Sequence, residues 1–245
     1  MQVFPHDLKS TRDPALGLIV LQEDERVERD FRTLLPVSAD LLVSRVASGL
    51  EVTPETLAEM EGGLPRAAGL FPTGRAFDVI GYGCTSGTAQ IGAARVAEQV
   101  RAGAQAMHVT DPLTALIAAC AHLGLRRLAL LSPYVEIVSD RLRDRLAAAG
   151  IETPVFGSFA VAEEARVARI DPGSTRDAAA ALIAQGGVDG LFLSCTNLDT
   201  LPVIAALEEA GGIPVLSSNL VLAWHMRRLA GLGRPELACR LSAAG

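Results

Sequence analysis

A ten-residue segment of the chain recurs in its second half. Residues 77–86 read FDVIGYGCTS and residues 188–197 read VDGLFLSCTN, so an offset of 111 positions places an Asp on an Asp, a Cys on a Cys and a Thr on a Thr. The same offset carries the apolar run 18–21 onto residues 129–132. A repeat that carries strands onto strands predicts two similar structural units. The alternative is chance similarity between two apolar strands, which are common in parallel sheets.

Along the rest of the chain, short apolar runs alternate with Ala-rich stretches that are typical of helices. The predicted strands are 16–21, 40–46, 79–82, 106–109, 128–131, 153–156, 191–193 and 215–217, and the predicted helices are 53–68, 88–102, 112–122, 135–149, 175–185 and 202–210. Nearly continuous apolar strands separated by helices are typical of parallel sheets that are covered on both faces. The sequence therefore predicts an α/β fold with two similar lobes, each a mostly parallel sheet covered by helices.

Each copy of the repeat carries a Cys directly after a predicted strand. Cys84 is followed by Thr-Ser-Gly-Thr and Cys195 by Thr-Asn, which are residue types that favour the start of a helix. Ligands of α/β proteins bind at the carboxyl edge of the sheet, so two facing lobes would place one thiol on each side of a cleft. Free N–H groups at a helix start hold carboxylates and lower the pKa of a nearby thiol. We therefore expect two reactive cysteines.

The charge and hydropathy of the chain exclude several partners. The net charge is −6, from 28 acidic and 22 basic residues, which disfavours nucleic acid. No apolar run reaches the ~20 residues of a membrane span. The first residues lack the cationic start and apolar core of a secretory signal. We expect a cytoplasmic protein without a nucleic-acid or membrane partner.

Few residues could hold a cofactor. Lys9 is the only lysine and lies in a polar leader, which disfavours Schiff-base and pyridoxal-phosphate chemistry and leaves no P-loop. The four Cys lack the CxxC spacing of zinc sites. Residues 81–86, GYGCTS, are similar to a dinucleotide-binding loop but lack its third glycine and the acidic strand end that follows it. Neither a metal nor an organic cofactor is therefore expected.

Four motifs together resemble the aspartate/glutamate racemase superfamily. They are GYGCTSGT at residues 81–88, LLSPYVEIV at 130–138, LFLSCTNLDT at 191–200 and PVLSSN at 214–219. Their order and the paired Cys-Thr turns are similar to the branch that contains maleate cis–trans isomerase and arylmalonate decarboxylase. The resemblance implies two Rossmann-like lobes related by a pseudo-twofold axis, with the active site in the cleft between them. The expected first lobe comprises residues 1–112 and 220–245, with a C-terminal helix, and the second comprises residues 113–219.

The resemblance also implies a chemistry. Decarboxylases of this type keep only the second Cys, whereas racemases and maleate isomerase use two. Because this chain has Cys84 and Cys195, we expect a cofactor-independent isomerase or racemase of a small carboxylic acid, assembled as a homodimer or homotetramer. The residues expected to bind substrate include Thr85, Ser86, Tyr134, Thr196, Asn197, Ser217 and Ser218, with Tyr134 reaching the carboxylate. The alternatives are an arylmalonate-type decarboxylase and a non-catalytic small-molecule binding protein.

The chain departs from the isomerase pattern at two places. Where that pattern has Pro-Ser-x-Asn-Thr after the first strand, this chain has Leu-Gln-Glu-Asp-Glu, with Asp24 near the Asn position. Where the pattern has a second Asn, this chain has Glu163 and Glu164. If Asp24 and Glu164 face the substrate, they attract a cationic nitrogen; the alternative is a solvated acidic surface. The opening LIVLQEDERVERDF also resembles ectoine and hydroxyectoine utilisation proteins of this superfamily, which implies a role in ectoine degradation.

Overall fold

The protein forms two parallel sheets of four strands each. The structure is a computed structural model that describes residues 1–8, 13–233 and 237–244. The first sheet contains β1 (Ala15–Leu21), β2 (Asp40–Val46), β3 (Ala76–Gly83) and β4 (Gln105–Thr110), and the second contains β5 (Arg127–Ser132), β6 (Glu152–Ser158), β7 (Gly190–Leu193) and β8 (Val215–Ser217). The strand orders are β2-β1-β3-β4 and β6-β5-β7-β8, and every pairing is parallel. The expected two-lobed α/β fold is confirmed. Lys9 lies outside the described residues.

Helices connect and cover the strands. They are α1 (Val27–Leu34), α2 (Pro54–Ala68), α3 (Thr85–Ile91), α4 (Ala93–Gly103), α5 (Pro112–Leu123), α6 (Glu136–Ala148), α7 (Glu164–Val167), α8 (Pro172–Ala184), α9 (Leu201–Gly211), α10 (Ser218–Leu229) and α11 (Arg240–Ala243). Because helices lie on both faces, a central strand such as β1 is buried at all of its positions. Within the described ranges, no helix is both long and apolar enough to cross a bilayer.

The repeat detected in the sequence is also a structural repeat. The backbone N–H of Ala15, at the start of β1, donates to Asp78 Oδ2 over 2.7 Å. At the equivalent place in the second sheet, the N–H of Arg126 donates to Asp189 Oδ2 over 2.8 Å. Both contacts join the beginning of a central strand to the Asp of the repeat, at the same offset of 111 positions. The common strand order and the common contact favour a true repeat over chance similarity.

Helix α10 links the two halves. It begins directly after β8 and packs against β3, β4, α1 and α5. The division of the chain at residues 112 and 219 stays a prediction.

Several helices differ from their sequence predictions, and the short helices α7 and α11 are absent from the predicted set. The predicted helix 88–102 is interrupted at Gly92, whose φ of +96° separates α3 from α4. Helix α1 has no counterpart among the predicted helices, because its sequence VERDFRTL is mostly polar. Its apolar residues Val27, Phe31 and Leu34 nevertheless recur at helical spacing and are buried.

Candidate active site

Cys84 lies at the beginning of a helix, as the sequence predicts. It is the N-cap residue of α3, and its Sγ accepts a hydrogen bond of 3.1 Å from the N–H of Gly87. A Cβ at position 87 would lie 2.9 Å from this sulfur and 2.6 Å from the Tyr82 hydroxyl. Glycine at position 87 therefore allows the thiol to approach the helix end.

Cys195 lies at the equivalent strand end but in a different turn. Helix α9 begins only at Leu201, so the expected helix start beside Cys195 is wrong. The residue instead has a φ of +102°, which non-glycine residues rarely adopt and which is typical of functional turns. Its Sγ accepts from the N–H of Asn197 over 3.2 Å and lies 2.9 Å from the Tyr134 hydroxyl. The strained turn thus directs the thiol towards Tyr134.

Hydrogen bonds join the two cysteine turns. The Ser218 hydroxyl oxygen accepts from the Thr85 hydroxyl over 2.8 Å and from the N–H of Cys195 over 2.9 Å. The Thr196 hydroxyl donates to the carbonyl oxygen of Gly83, one residue before Cys84, over 3.2 Å. The structure therefore brings both thiol-bearing turns to one buried site.

Glu164 is a buried carboxylate at this site. The side chain is 4% exposed in relative terms, and it accepts from the Tyr134 hydroxyl and from the Asn197 amide, each over 2.9 Å. Burial raises its pKa to about 6, although these two hydrogen bonds oppose the shift. Glu164 is therefore mostly ionised at neutral pH.

Asp24 is a second buried carboxylate. Its Oδ1 accepts from the N–H groups of Arg26 and Val27, each over 2.8 Å, whereas its buried Oδ2 has no hydrogen-bond partner. Thr196 lies close enough to lower the pKa of Asp24, but its hydroxyl hydrogen is directed to Gly83. Burial has the larger effect and raises this pKa. The unpartnered Oδ2 of Asp24 can accept a hydrogen bond from a ligand.

The neighbouring acidic residues are not buried with them. Glu25 and Glu163 are exposed, and Glu25 forms an ion pair of 2.9 Å with Arg169. The alternative of a solvated acidic surface therefore holds for Glu25 and Glu163, whereas Asp24 and Glu164 are buried.

Burial also sets the state of both thiols. It raises the pKa of Cys84 to about 12 and the pKa of Cys195 well above its usual value. The hydrogen bond from Gly87 lowers the pKa of Cys84, as expected for a helix start, but burial outweighs it. The charge of Glu164 raises both thiol pKa values further. The expected lowering of the thiol pKa is therefore wrong in this closed site.

The other predicted residues occupy defined places. Ser86 is buried in the first turn of α3, and the Ser217 hydroxyl oxygen accepts from the N–H of Leu220 at the start of α10. The Ser217 side chain therefore caps helix α10. Within the described part of the chain, no group of three or more His, Cys, Asp or Glu could hold a metal ion.

Sequence reasoning missed the pair formed by Asp30 and Asn219. The Asn219 amide donates to Asp30 Oδ2 over 2.7 Å and to the carbonyl oxygen of Thr196 over 2.8 Å. Burial raises the pKa of Asp30 to about 7. The helical spacing of Val27 and Phe31, on either side of Asp30, is the signal that could have found it. The pair stabilises the turn after Cys195, because Asn219 binds both Asp30 and the carbonyl oxygen of Thr196.

A family profile described as arylmalonate decarboxylase matches residues 93–241. The arylmalonate decarboxylase of Bordetella bronchiseptica is 33% identical over 233 residues, which cover 92% of this chain and 94% of that protein. The chain belongs to the arylmalonate decarboxylase family. Another relative, the maleate isomerase of Nocardia farcinica, is 29% identical over 87% of this chain and 88% of its own length.

Solved structures of the family share this fold. A cysteine-to-serine mutant of the Nocardia farcinica maleate cis–trans isomerase, with a covalently bound succinylcysteine intermediate, has a TM-score of 0.83 and 26% identity, and covers 94% of this chain and 98% of its own. A liganded double mutant of arylmalonate decarboxylase has a TM-score of 0.83 and 27% identity, and covers 95% of this chain and 100% of its own. The resemblance to this branch of the aspartate/glutamate racemase superfamily is confirmed.

Proposed function

We propose that this member of the arylmalonate decarboxylase family is a cofactor-independent isomerase or racemase that uses Cys84 and Cys195 on a small carboxylic acid. The observation that carries the proposal is the presence of two thiols at equivalent strand ends, connected through Ser218. A reaction through one thiol has no need of the second. The names of the relatives support a carboxylate substrate, since maleate isomerases are among them.

In a racemisation, the two thiols work from opposite faces of the substrate. One thiolate takes the α-proton, the electron pair moves into the carboxylate as an enolate, and the other thiol returns a proton to the opposite face. The Ser86 hydroxyl and the backbone N–H groups of Thr85, Ser86 and Thr196 stabilise the developing charge. The hydroxyl hydrogens of Thr85 and Thr196 are already donated to Ser218 and Gly83. The Ser218 oxygen already accepts two hydrogen bonds, so its own hydrogen remains for an acceptor such as the substrate.

In a cis–trans isomerisation, one thiolate adds to the double bond of the substrate. The other thiol protonates the neighbouring carbon, rotation follows about the new single bond, and loss of that proton expels the thiolate from the trans isomer. The succinylcysteine in the Nocardia farcinica isomerase is an adduct of this kind in that relative. Both versions need the same two cysteines.

The buried carboxylates favour a substrate that carries a cationic nitrogen. Among the described residues, neither Asp24 nor Glu164 forms an ion pair with Arg or His. An unpartnered carboxylate oxygen in a closed site is costly, and an ammonium or amidinium group would offset that cost. An amino-bearing acid, of the kind produced in ectoine degradation, fits better than a simple diacid.

Decarboxylation through Cys195 alone is the second candidate. It is favoured by the arylmalonate decarboxylase of Bordetella bronchiseptica, which is 33% identical to this chain. In this reaction, loss of carbon dioxide leaves an enolate that the Cys195 thiol protonates. Cys84 would then be dispensable.

Incubation with candidate acids in heavy water separates these reactions. Amino acids, unsaturated diacids and malonates are supplied to the parent protein and to Cys84→Ala. Deuterium at the α-carbon with inversion identifies racemisation, and a changed double-bond geometry identifies cis–trans isomerisation. Carbon dioxide release that survives Cys84→Ala would replace the proposal with decarboxylation.

A further inference from the structure

Three side chains form a continuous hydrogen-bonded chain at Cys195. The Cys195 sulfur lies 2.9 Å from the Tyr134 hydroxyl, and this hydroxyl donates to Glu164 Oε1 over 2.9 Å. A tyrosine hydroxyl has one hydrogen, and an ionised carboxylate only accepts. Since the Tyr134 hydrogen goes to Glu164, the thiol hydrogen of Cys195 is left to point at the Tyr134 oxygen.

The carboxylate at the end of this chain is held in place. Glu164 Oε2 accepts from the Asn197 amide over 2.9 Å, and the Asn197 amide oxygen accepts from the N–H of Glu25 over 2.9 Å. The backbone N–H of Asn197 also donates to the Cys195 sulfur. One residue thus orients both ends of the chain from Cys195 to Glu164.

We propose that Glu164 is a positioning residue that receives the proton of the Cys195 thiol through the Tyr134 hydroxyl. The S–H bond of Cys195 breaks and its proton binds the Tyr134 oxygen. The original Tyr134 hydrogen moves to Glu164 Oε1. The products are a thiolate, an unchanged tyrosine and a carboxylic acid. This inference rests on the proposed function, because it supplies the thiolate that the reaction needs.

The transfer suits a buried site because it changes no net charge. Ionising a buried thiol by losing its proton to water would leave two negative charges in a closed space. Moving the proton to Glu164 keeps one charge among the three side chains. Burial raises the pKa of the Cys195 thiol above its usual value, and the pKa of Glu164 is about 6, so Glu164 is the weaker base and the transfer is uphill. The thiolate is therefore a minor species, which forms only while Glu164 is ionised and able to take the proton.

Other ionisable groups also face this chain. Those whose charge affects Glu164, Tyr134 or Cys195 are Asp24 and Glu23 from the β1–α1 loop and Cys84 from the end of β3. Across a cavity of about 10 Å³ beside Glu164 lies Glu51. The positive charge of Arg45 acts on Asp24, whose pKa it lowers. Asp24 Oδ1 accepts hydrogen bonds from the start of α1. Of these carboxylates, Glu164 is the one that accepts a hydrogen bond from Tyr134.

The relay and simple electrostatics predict opposite results for Glu164→Gln. If Glu164 acts only as a nearby negative charge, its removal makes the Cys195 thiolate easier to form, and the thiol becomes more reactive at neutral pH. If Glu164 receives the proton, its removal leaves no acceptor, and reactivity falls. The sign of the change therefore decides between them.

The test is the rate at which iodoacetamide alkylates Cys195, followed by mass spectrometry of the peptide that contains it. In the parent protein, the second-order rate should rise through about pH 6, where Glu164 ionises, and stay level to above pH 9. Glu164→Gln should lower the rate at pH 7.5 at least tenfold. Glu163→Gln, which alters the exposed neighbour, should leave it unchanged.

Tyr134→Phe keeps the carboxylate and interrupts the chain, so it should lower the rate as much as Glu164→Gln does. The double variant should be no slower than either single variant. A faster or unchanged rate in Glu164→Gln overturns the relay. If that variant fails to fold, a parent profile that rises only above pH 9 overturns it. Turnover by Cys195→Ala tests the proposed function separately. If Cys195→Ala loses turnover while Glu164→Gln is alkylated faster than the parent, the relay is rejected and the proposed function stands.

Discussion

The Thr85 hydroxyl donates a hydrogen bond of 2.8 Å to the Ser218 hydroxyl, across a separation of 133 residues. Ser218 also accepts the N–H of Cys195, whose φ is +102°. One buried oxygen thus joins the helix start after Cys84 to the strained turn at Cys195. Together with the hydrogen bond from Thr196 to the carbonyl oxygen of Gly83, this contact holds the two thiols in place relative to each other.

Replacing Ser218 should therefore affect both stability and activity. Ser218→Ala leaves the N–H of Cys195 and the Thr85 hydroxyl without their acceptor in a buried place. We expect the free energy of unfolding to fall by about 1–3 kcal/mol, and kcat to fall as well. Ser44→Ala is the matched control, because Ser44 is also buried but donates to Ala67 far from the thiols. Denaturant titration and turnover should separate the two variants, and equal kcat values would contradict the assigned role of Ser218.

Both cysteines of the repeat should be required for turnover. Cys84→Ala and Cys195→Ala should each lower turnover by at least ~100-fold, the usual scale for an acid–base group. Cys120→Ala and Cys239→Ala remove thiols that lie elsewhere in the core and should retain nearly full turnover. Full isomerase activity of Cys84→Ala would mean that the two-thiol mechanism is wrong.

The charge of the site should select the substrate. Asp24→Asn removes a buried carboxyl whose unpartnered oxygen a cationic nitrogen would contact, and Glu164→Asn removes the second buried carboxyl of the site. At an effective dielectric constant of ~20, a charge pair at ~4 Å is worth a few kcal/mol. We therefore expect kcat/KM for an amino-bearing acid, relative to maleate, to fall at least tenfold in Asp24→Asn. Glu25→Gln changes an exposed side chain and should not alter the ratio. An unaltered preference in both site variants would reject the charge argument.

Stability should decrease as the pH rises towards neutrality. Burial raises the pKa of Asp30 from 3.8 to about 7, so the folded protein binds this proton more tightly than the unfolded chain does. The resulting stabilisation is complete below about pH 4 and is lost as the pH rises through about 7. Asp30→Asn should reduce the difference in unfolding free energy between pH 5 and pH 8 by roughly 2–4 kcal/mol. Denaturant titration at both pH values gives the answer, and an unchanged difference would show that Asp30 does not carry the pH dependence.

Glycine at position 87 should be needed at the site. In Gly87→Ala, the new Cβ would lie 2.6 Å from the Tyr82 hydroxyl and 2.9 Å from the Cys84 sulfur. We expect a loss of about 1–3 kcal/mol in stability and lower turnover. Gly62→Ala is the matched control in α2, where nothing lies within 4 Å of the added atom, and it should stabilise by about 0.5–1 kcal/mol. Thermal unfolding and turnover of both variants test this, and normal activity of Gly87→Ala would contradict it.

Local sequence patterns were sufficient to predict most of the fold. The apolar runs predicted all eight strands of the two sheets, because a parallel strand buried on both faces is apolar along its whole length. The offset between Asp78 and Asp189 predicted the repeat. Helix α1 was missed because only three of its eight residues are apolar and buried, and three apolar residues are too few to reveal helical spacing in so short a segment.

The sequence by itself predicted most of the residues that cluster around the two thiols, and only the tertiary structure decided their contacts and their protonation states. The strand ends identified Cys84 and Cys195, and departures from a known pattern identified Asp24 and Glu164. The raised pKa values and the contacts from Cys195 through Tyr134 to Glu164 could not be predicted, because they join loops far apart in the chain. Burial depends on how the two halves close over each other, and no local pattern reports the desolvation that results.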